Sequence, residues 1–438
     1  MVSSIRKRDA RIVPFDVNKI AQAIFRAASS QGGKDYVLSL KIAAEVLERL
    51  NEQFEDAIPD VEQVQDLVEK TLIKSGHART AKAYILYRHQ RTKIREMNTR
   101  LMTTIRDLTF KDAKDNDLKR ENANIDGDTA MGTMLKYGSE SAKQFYEMYI
   151  LNPKHSLAHK NGDIHIHDLD FLSLTTTCCQ IDIRKLFKGG FSTGHGFLRE
   201  PQDVMSYAAL AAIAIQSNQN DQHGGQSIPL FDYYLAPGVM HTFKKNYRQA
   251  LTDYVDYTQA LDLETMNLAL SQIEGLSDLR AVELTGDQLP LVYEKALAKT
   301  ERATYQAMEG LIHNLNTMHS RAGAQVPFSS INFGTDTSEA GRMISRQLLL
   351  AMESGLGNHE TPIFPILIFK IKEGVNYNPG DPNYDLFQLS CRVSAKRMFP
   401  NFAFIDAPFN KQYYKEGRPE TEIAYMGCRT RVIGNEID

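Results

Sequence analysis

The stretch Thr175-Thr176-Thr177-Cys178-Cys179-Gln180-Ile181-Asp182-Ile183 decides how the larger part of this chain is read. Its β-branched residues predict a strand, and a strand sends successive side chains to opposite faces. Only one of the two adjacent thiols can therefore face a given pocket. A disulfide between chain neighbours is geometrically strained and is not expected. Outward from this segment, strand-like stretches alternate with long helical ones. The strand-like stretches are residues 163–171, 326–333, 362–371, 402–405 and 425–433; the helical ones lie near 203–219, 239–265, 289–319 and 337–354. Such alternation predicts an α/β fold with both sheet faces covered.

Upstream the texture changes. Residues 111–128, KDAKDNDLKRENANIDGD, are polar and aperiodic and read as a linker or long surface loop. Residues 1–95 read as a separate small domain. It opens with a β-like stretch from Ile5 to Phe15. Asp16 is placed to cap a helix with the apolar stripe Ile20, Ala23, Ile24 and Ala27. A second helix carries Ile42, Val46, Leu47 and Leu50. A third starts at Asp60-Val61-Glu62-Gln63, a capping-box pattern, and a fourth runs from about Thr80 to Arg95. The expected organisation is a small β cap plus helical bundle over 1–95, a linker over 96–130, and an α/β domain over 131–438.

The bulk numbers exclude several classes. At 438 residues the chain exceeds one ordinary core. A net charge of -3 gives no basic footprint of a nucleic-acid binder. No apolar run approaches a membrane span, and the opening MVSSIRKRDARIVPF has no apolar signal region. Four cysteines in this length make no disulfide scaffold, so a cytoplasmic protein with chemically active thiols is expected.

In the first domain Arg88, Arg91 and Arg95 share one helix face at i, i+3, i+7. Lys7, Arg8 and Lys19 can join them in space. Such clusters suit triphosphate oxygens, although a run of charge on a helix is usually only a solvated face. The order of features adds to this. Arg6-Lys7-Arg8-Asp9, Val13-Pro14-Phe15-Asp16, Lys19-Ile20, the run from Pro59 to Glu69 and the closing Ala81-Lys82-Ala83-Tyr84-Ile85-Leu86-Tyr87-Arg88 closely resemble the ATP-cone domain. Ala10 departs from the glycine usual there. The resemblance implies a switch binding ATP or dATP through Lys7, Arg8, Asp16, Lys19, Arg88 and Arg91.

Two further cysteines lie downstream. Cys428 follows Gly427, which permits a tight turn or a close approach of the backbone. Cys391 reads as a small apolar filler on a helix. His165 and His167 alternate with Ile164 and Ile166 and are expected on one strand face. They suit either hydrogen bonding or acid–base work, and no Cys or Glu is spaced to complete a metal site with them. His223-Gly224-Gly225-Gln226 reads either as a nucleotide contact through close backbone approach or as a tight turn between helix and strand.

Long runs around these residues resemble the class III, anaerobic ribonucleotide reductases. They are Gly162-Asp163-Ile164-His165-Ile166-His167-Asp168-Leu169-Asp170, the run from Gly189 to Gly196, the run from Gln216 to Pro229, the run from Gln325 to Gly334, and Met426-Gly427-Cys428-Arg429. The resemblance implies a ten-stranded α/β barrel of two half-barrels with a finger loop at its centre. It implies that Cys428 is the finger-loop thiol that becomes a thiyl radical, that Cys178 is the second active-site cysteine, and that Met426 lies beside the reductant site. His165 and His167 would border the site. The implied reaction is the reduction of ribonucleoside triphosphates under anaerobic conditions, with dNTP effectors. The reductant would be formate or a thioredoxin-like redoxin, the activator a radical-SAM enzyme, and the assembly a homodimer or larger oligomer. The family continues beyond position 438 into a region with the radical glycine and a four-cysteine zinc site. That makes the barrel incomplete at its C-terminus and this fragment inactive by itself. Two other readings stand beside this one. A nucleotide-binding regulator with an inert barrel is one. The other is a different glycyl-radical enzyme such as a formate-lyase, but those lack a cone and carry adjacent cysteines on the finger loop.

Overall fold

The computed structural model describes residues 2–7, 11–54, 57–110, 129–172, 176–258, 264, 268, 270–271, 274–277, 289–320, 325–427 and 431–432. The chain divides into two compact units. One comprises Met1–Phe110 and Lys143–His165, the other Lys111–Ala142 and Ile166–Asp438.

The first unit opens with an antiparallel hairpin, β1 (Ser4–Arg6) and β2 (Ile12–Pro14), with Ser4 opposite Pro14. Four helices follow: α1 (Val17–Ser29), α2 (Tyr36–Gln53), α3 (Val61–Lys74) and α4 (Ala78–Phe110). Asp16 caps α1 by accepting from the Asn18 amide. Asp60 and Gln63 form the reciprocal box at the start of α3, at 2.8 and 2.9 Å. Each cap stabilises its helix by about 1 kcal/mol. The apolar stripes then meet in one core of Ile20, Ile24, Ile42, Val46, Leu50, Val64, Val68 and Leu72, closed by Ala81 and Tyr84. Each fully buried aliphatic contributes roughly 1.5–3 kcal/mol. Helix α4 runs to Phe110, well past Arg95. No glycine or proline interrupts residues 77–110, so nothing in the sequence stops it there.

Helix α5 (Ala130–Phe145) is shared between the units, and α6 (Pro153–Asn161) closes at Gly162 in the left-handed conformation, φ 80°. The expected strand over 163–171 does not form. The chain turns there and ends in a single 3-10 turn, Leu169–Phe171. Asp163, Asp168 and Asp170 are weak strand formers, and Asp168 takes φ 48°, which breaks an extended run. His165 and His167 therefore share no strand face.

The second unit is built on β3 (Thr176–Gln180), β6 (Gln222–Ile228), β7 (Ser329–Phe333), β8 (Ile366–Ile371) and β9 (Asn401–Phe404). These five form one parallel sheet in the order β3-β6-β7-β8-β9. A small hairpin, β4 (Phe191–Ser192) with β5 (Phe197–Leu198), precedes the helix α8 (Val204–Asn218); α7 (Ile183–Phe187) follows β3. Then come α9 (Phe231–Thr258) and the helices Leu289–Thr317, Glu339–Ser354 and Tyr384–Arg397. The helices cover one face, burying Ile228, Ile331, Phe333, Leu367, Phe369 and Ile371. The α/β class read from the sequence is therefore observed, with five of the ten strands expected of a barrel present among the described residues. The opposite face is different. It carries Ser227, Ser330, Asn332 and Lys370, all fully buried, and a small cluster of Ile368, Ala403 and Ile405 with Tyr425 against it. Among the described residues that face is crossed by the chain after Glu422 rather than by a second helical layer. No helix among the described residues is long and apolar enough to cross a membrane.

Candidate active site

The adjacent cysteines on β3 do face opposite ways. Cys179 points toward the helices, where its sulfur accepts from Asn218 Nδ2 of α8 at 3.0 Å. Burial raises its pKa, the Asn218 hydrogen bond partly opposes this, and the neighbouring Cys178 adds to it. Cys179 is thus a neutral thiol packed against the main core. Cys178 lies at a break in the β3–β6 register, with φ 36°. Its Sγ accepts from the Gly225 amide at 3.3 Å. A side chain at Gly224, itself at φ 85°, would put a Cβ 2.7 Å from that sulfur. The two glycines let the β6 backbone pass under the thiol.

This corrects the reading of His223-Gly224-Gly225-Gln226. It is not a turn between helix and strand but part of β6: His223 pairs with Thr177, Gln226 pairs with Cys179 and Ser329, and Gly224 and Gly225 lie at the register break between them. Glycine inside a strand marks a close approach, and here the approaching atom is sulfur. His223 is buried and stacks on Phe171, ring centroids 5.0 Å apart, with its Nε2 3.8 Å from Asp168. His167 is 83 % exposed and lies 3.6 Å from the other oxygen of the same carboxylate. His165 belongs to the first unit, where its ring centroid is 5.8 Å from that of His159.

The second thiol, Cys428, lies outside the described residues. The chain leading to it is described. Strand β10 (Ala424–Tyr425), which pairs with β11 (Arg431–Val432), is laid across the sheet. Asn332 of β7 donates to the Tyr425 carbonyl at 2.8 Å and accepts from the Tyr425 amide at 2.9 Å. Ser227 of β6 donates to the same carbonyl at 3.0 Å. Met426 is buried, and Gly427 donates its amide to Ser330 Oγ at 2.7 Å. A Cβ at Gly427 would collide with Ile366 of β8, so only glycine brings the backbone this close. The strap thus crosses β6, β7 and β8 on the face opposite the helices. Cys391 sits on the helix Tyr384–Arg397 and is exposed, which corrects its reading as a buried apolar filler. Sequence reading offered Gly224 and Gly225 as a nucleotide contact rather than as neighbours of Cys178, and it gave no individual role to Ser227, Ser330 and Asn332. The signal was present in Ser329-Ser330-Ile331-Asn332-Phe333, where small or polar residues alternate with large apolar ones in a fully buried strand.

At the carboxyl end of β7 two buried acids meet. Asp232 accepts from the Gly334 and Asp336 amides at 2.7 and 3.1 Å. Complete burial pushes its pKa up to about 6, the Asp336 charge adds to this, and the two amides and Lys370 oppose it. A raised carboxyl pKa means that the folded state binds the proton more tightly than the unfolded chain. The contribution to stability is then present at low pH and falls as pH rises from about 4 to about 6. Replacing Asp232 with Asn should remove that fall. Urea titrations from pH 4 to 7 should show the variant gaining on the parent by on the order of 2–3 kcal/mol. A pH-independent difference would contradict the assignment.

In the first unit Arg88 is not open to solvent anions. Its guanidinium meets Glu62, Asp66 and Glu69 of α3 at 2.6, 2.5 and 2.9 Å. Arg91 is exposed, donating to Tyr87 OH at 2.9 Å. Lys19 is exposed on α1, and Lys7 extends the β1 edge. Arg8 and the Arg95 side chain lie outside the described residues. Arg6 bridges to Asp60, two residues before Glu62, so the hairpin edge and the start of α3 adjoin.

A parallel α/β sheet with two adjacent thiols on β3, and a glycine strap on the face opposite the helices, is joined in one chain to a small helical domain. Comparison with known proteins narrows this. Residues 121–437 match the family model described as anaerobic ribonucleoside-triphosphate reductase, and residues 3–93 match the ATP cone domain. The chain belongs to the anaerobic ribonucleoside-triphosphate reductase family. It is 31 % identical over 409 residues to that enzyme of Salmonella typhimurium, covering 93 % of this chain and 52 % of the relative. For the Escherichia coli enzyme identity is 30 % over 409 residues, with the same coverage. The crystal structure of the Thermotoga maritima anaerobic ribonucleotide reductase with dATP and CTP is 12 % identical, with a TM-score of 0.42, covering 66 % of this chain and 45 % of that one. The chain spans about half the length of the curated relatives it matches.

Proposed function

We propose that this chain carries the effector-binding cone and the thiol-bearing part of the catalytic barrel of an enzyme that reduces ribonucleoside triphosphates to deoxyribonucleoside triphosphates. The observation that carries this is the strap. Two backbone groups of Tyr425 and the amide of Gly427 are fixed to the sheet face opposite the helices. Cys428 is the next residue. In this reading residues 1–95 are the cone, 96–130 a linker and 131–438 the barrel.

The ribose 2′-hydroxyl leaves with difficulty because hydroxide is a poor leaving group. A thiol radical at Cys428 takes the 3′-hydrogen, forming an S–H bond and leaving the ribose one electron short. Loss of the 2′-hydroxyl as water then becomes feasible once an acid supplies a proton. His165 and His167 are the proposed acid–base residues. Cys178 passes electrons to the deoxygenated sugar, with formate or a redoxin as the final donor and Met426 beside the reductant. The Gly225 amide donates to Cys178 Sγ at 3.3 Å and holds that sulfur in place. A glycyl radical, supplied by a radical-SAM activating enzyme, would provide the hydrogen-atom abstraction that starts the cycle at Cys428. That Cys428 directly follows the fixed Tyr425 and Gly427 backbone supports this reading.

ATP and dATP are proposed to bind the cone through Lys7, Arg8, Asp16, Lys19, Arg88 and Arg91, with dNTPs as specificity effectors. Arg88 would exchange carboxylate partners for phosphate oxygens. Calorimetric titration of the chain with ATP and with dATP should show saturable binding. Arg91→Ala should weaken it about tenfold, in line with the loss of one charge-assisted hydrogen bond. Absence of binding to both nucleotides would remove the regulatory half of the proposal.

A further inference from the structure

The strap has a second attachment, which sequence reading did not detect. The Glu422 carboxylate is almost wholly enclosed, at 1 % exposure. Its Oε2 accepts from Lys370 Nζ at 3.2 Å and from Thr335 Oγ1 at 3.0 Å. Its Oε1 accepts from Lys372 Nζ at 2.9 Å. Lys370 is fully buried, and Lys372 also lies 3.8 Å over the Tyr414 ring. Burial alone would raise the carboxyl pKa, but the two ammonium groups hold it below the ordinary range.

Taking a lysine and a glutamate out of water is costly, and an apolar pair would often stabilise such a site as well or better. The ion cluster differs from an apolar pair in being specific for register. Lys370 is fixed on β8 by its ladder to β9, where it pairs with Ala403. Its Nζ hydrogen-bonds the Glu422 carboxylate, and its charge also acts on the buried Asp232. Three residues later the Tyr425 backbone is read by Asn332 and Ser227, and two residues beyond that the Gly427 amide is read by Ser330. A slip of one residue would leave Lys370 charged, buried and unpaired, and would put a Cβ where Gly427 meets Ile366.

We infer that Glu422 is a positioning residue, whose ion cluster with Lys370, Lys372 and Thr335 sets the register of the strap 422–427 on the inner sheet face. It thereby fixes where the chain delivers Cys428. The functional importance of this register rests on the proposed role of Cys428; the anchoring itself does not.

The test measures amide hydrogen exchange in the chain and in Glu422→Gln. In the parent, the Tyr425 and Gly427 amides should be protected at least a hundredfold relative to an exposed loop. In Glu422→Gln their protection should fall at least tenfold, while Ile331 and Phe369 in the sheet keep theirs. Cys428 should also be alkylated at least tenfold faster by iodoacetamide, with Cys391 as the internal control. Lys372→Met, which keeps the fully buried Lys370–Glu422 contact, should produce a smaller change in the same direction. Unprotected Tyr425 and Gly427 amides in the parent would overturn the inference even if Glu422→Gln does not fold. So would a folded Glu422→Gln with parental protection and alkylation. Failure of Cys428 to support turnover in the complete enzyme would instead remove the functional reading and leave the anchor standing.

Discussion

Serine in place of Cys428 is expected to abolish deoxynucleotide formation by the complete, activated enzyme. An O–H bond is much stronger than an S–H bond, so a hydroxyl at this position cannot hold a transferable radical. A loss on the order of 10⁴-fold or more follows, equivalent to at least about 5 kcal/mol in the barrier. The substitution leaves the attachments of Tyr425 and Gly427 in place, since both are fixed through their backbones. Thermal stability and ATP binding should therefore be unchanged within error. The comparison that matters is with Cys178→Ser. That variant keeps the thiol proposed to take the 3′-hydrogen but lacks the one that passes electrons. It should still exchange the substrate 3′-hydrogen with solvent while forming no product. The assay is product formation and 3′-tritium release for both variants. Undiminished turnover by Cys428→Ser would remove this residue from the chemistry.

The second large effect is structural. Asn332 is fully buried, and its amide makes four hydrogen bonds. Nδ2 donates to Ser227 Oγ at 2.9 Å, to the Tyr425 carbonyl at 2.8 Å and to the Ile228 carbonyl at 3.3 Å, while Oδ1 accepts from the Tyr425 amide. Alanine at this position leaves the Tyr425 amide without its acceptor, while the Tyr425 carbonyl keeps Ser227. An unsatisfied buried group costs about 1–3 kcal/mol, so Asn332→Ala should lose a similar amount in urea unfolding and loosen the strap. Aspartate is the informative control. It can still accept from the Tyr425 amide but cannot donate to the Tyr425 carbonyl, and it buries a charge with no cation on that side chain. Asn332→Asp should therefore be no better than alanine at neutral pH and should recover part of the loss as the pH falls and its carboxyl takes a proton. Equal stability of all three proteins would contradict the clamp.

These expectations rest on contacts of very different legibility. The first unit was readable because its signals are local. Asp16, and Asp60 with Gln63, cap helices from within three residues, and Ile20, Ile24, Val64 and Val68 repeat at helical spacing. Strand β7 was readable because Ile331 and Phe333 alternate with Ser330 and Asn332, and β8 because Ile366–Phe369 is a continuous apolar run. Strand β6 was not, because Gly224 and Gly225 look like a turn to any local rule. What makes them strand residues is Cys178, 46 residues earlier than Gly224 in the chain. The histidine pair failed for the converse reason. Apolar alternation around His165 and His167 mimics a strand, but Gly162 and Asp168 adopt left-handed conformations that no pattern of hydrophobicity reveals. The Glu422 anchor was invisible, since its partners Lys370 and Lys372 are 52 and 50 residues away. Sequence-local rules find helices and caps, whereas this site is assembled from tertiary pairings between five strands and a strap.

The proposed placement of Cys428 near Cys178 can be read directly by covalent cross-linking. A short bifunctional thiol reagent applied anaerobically to the chain, followed by peptide mass spectrometry, should join Cys178 to Cys428 and leave Cys179 unlinked. Linkage of Cys428 to Cys179, or no linkage at all while both thiols react singly, would contradict the account.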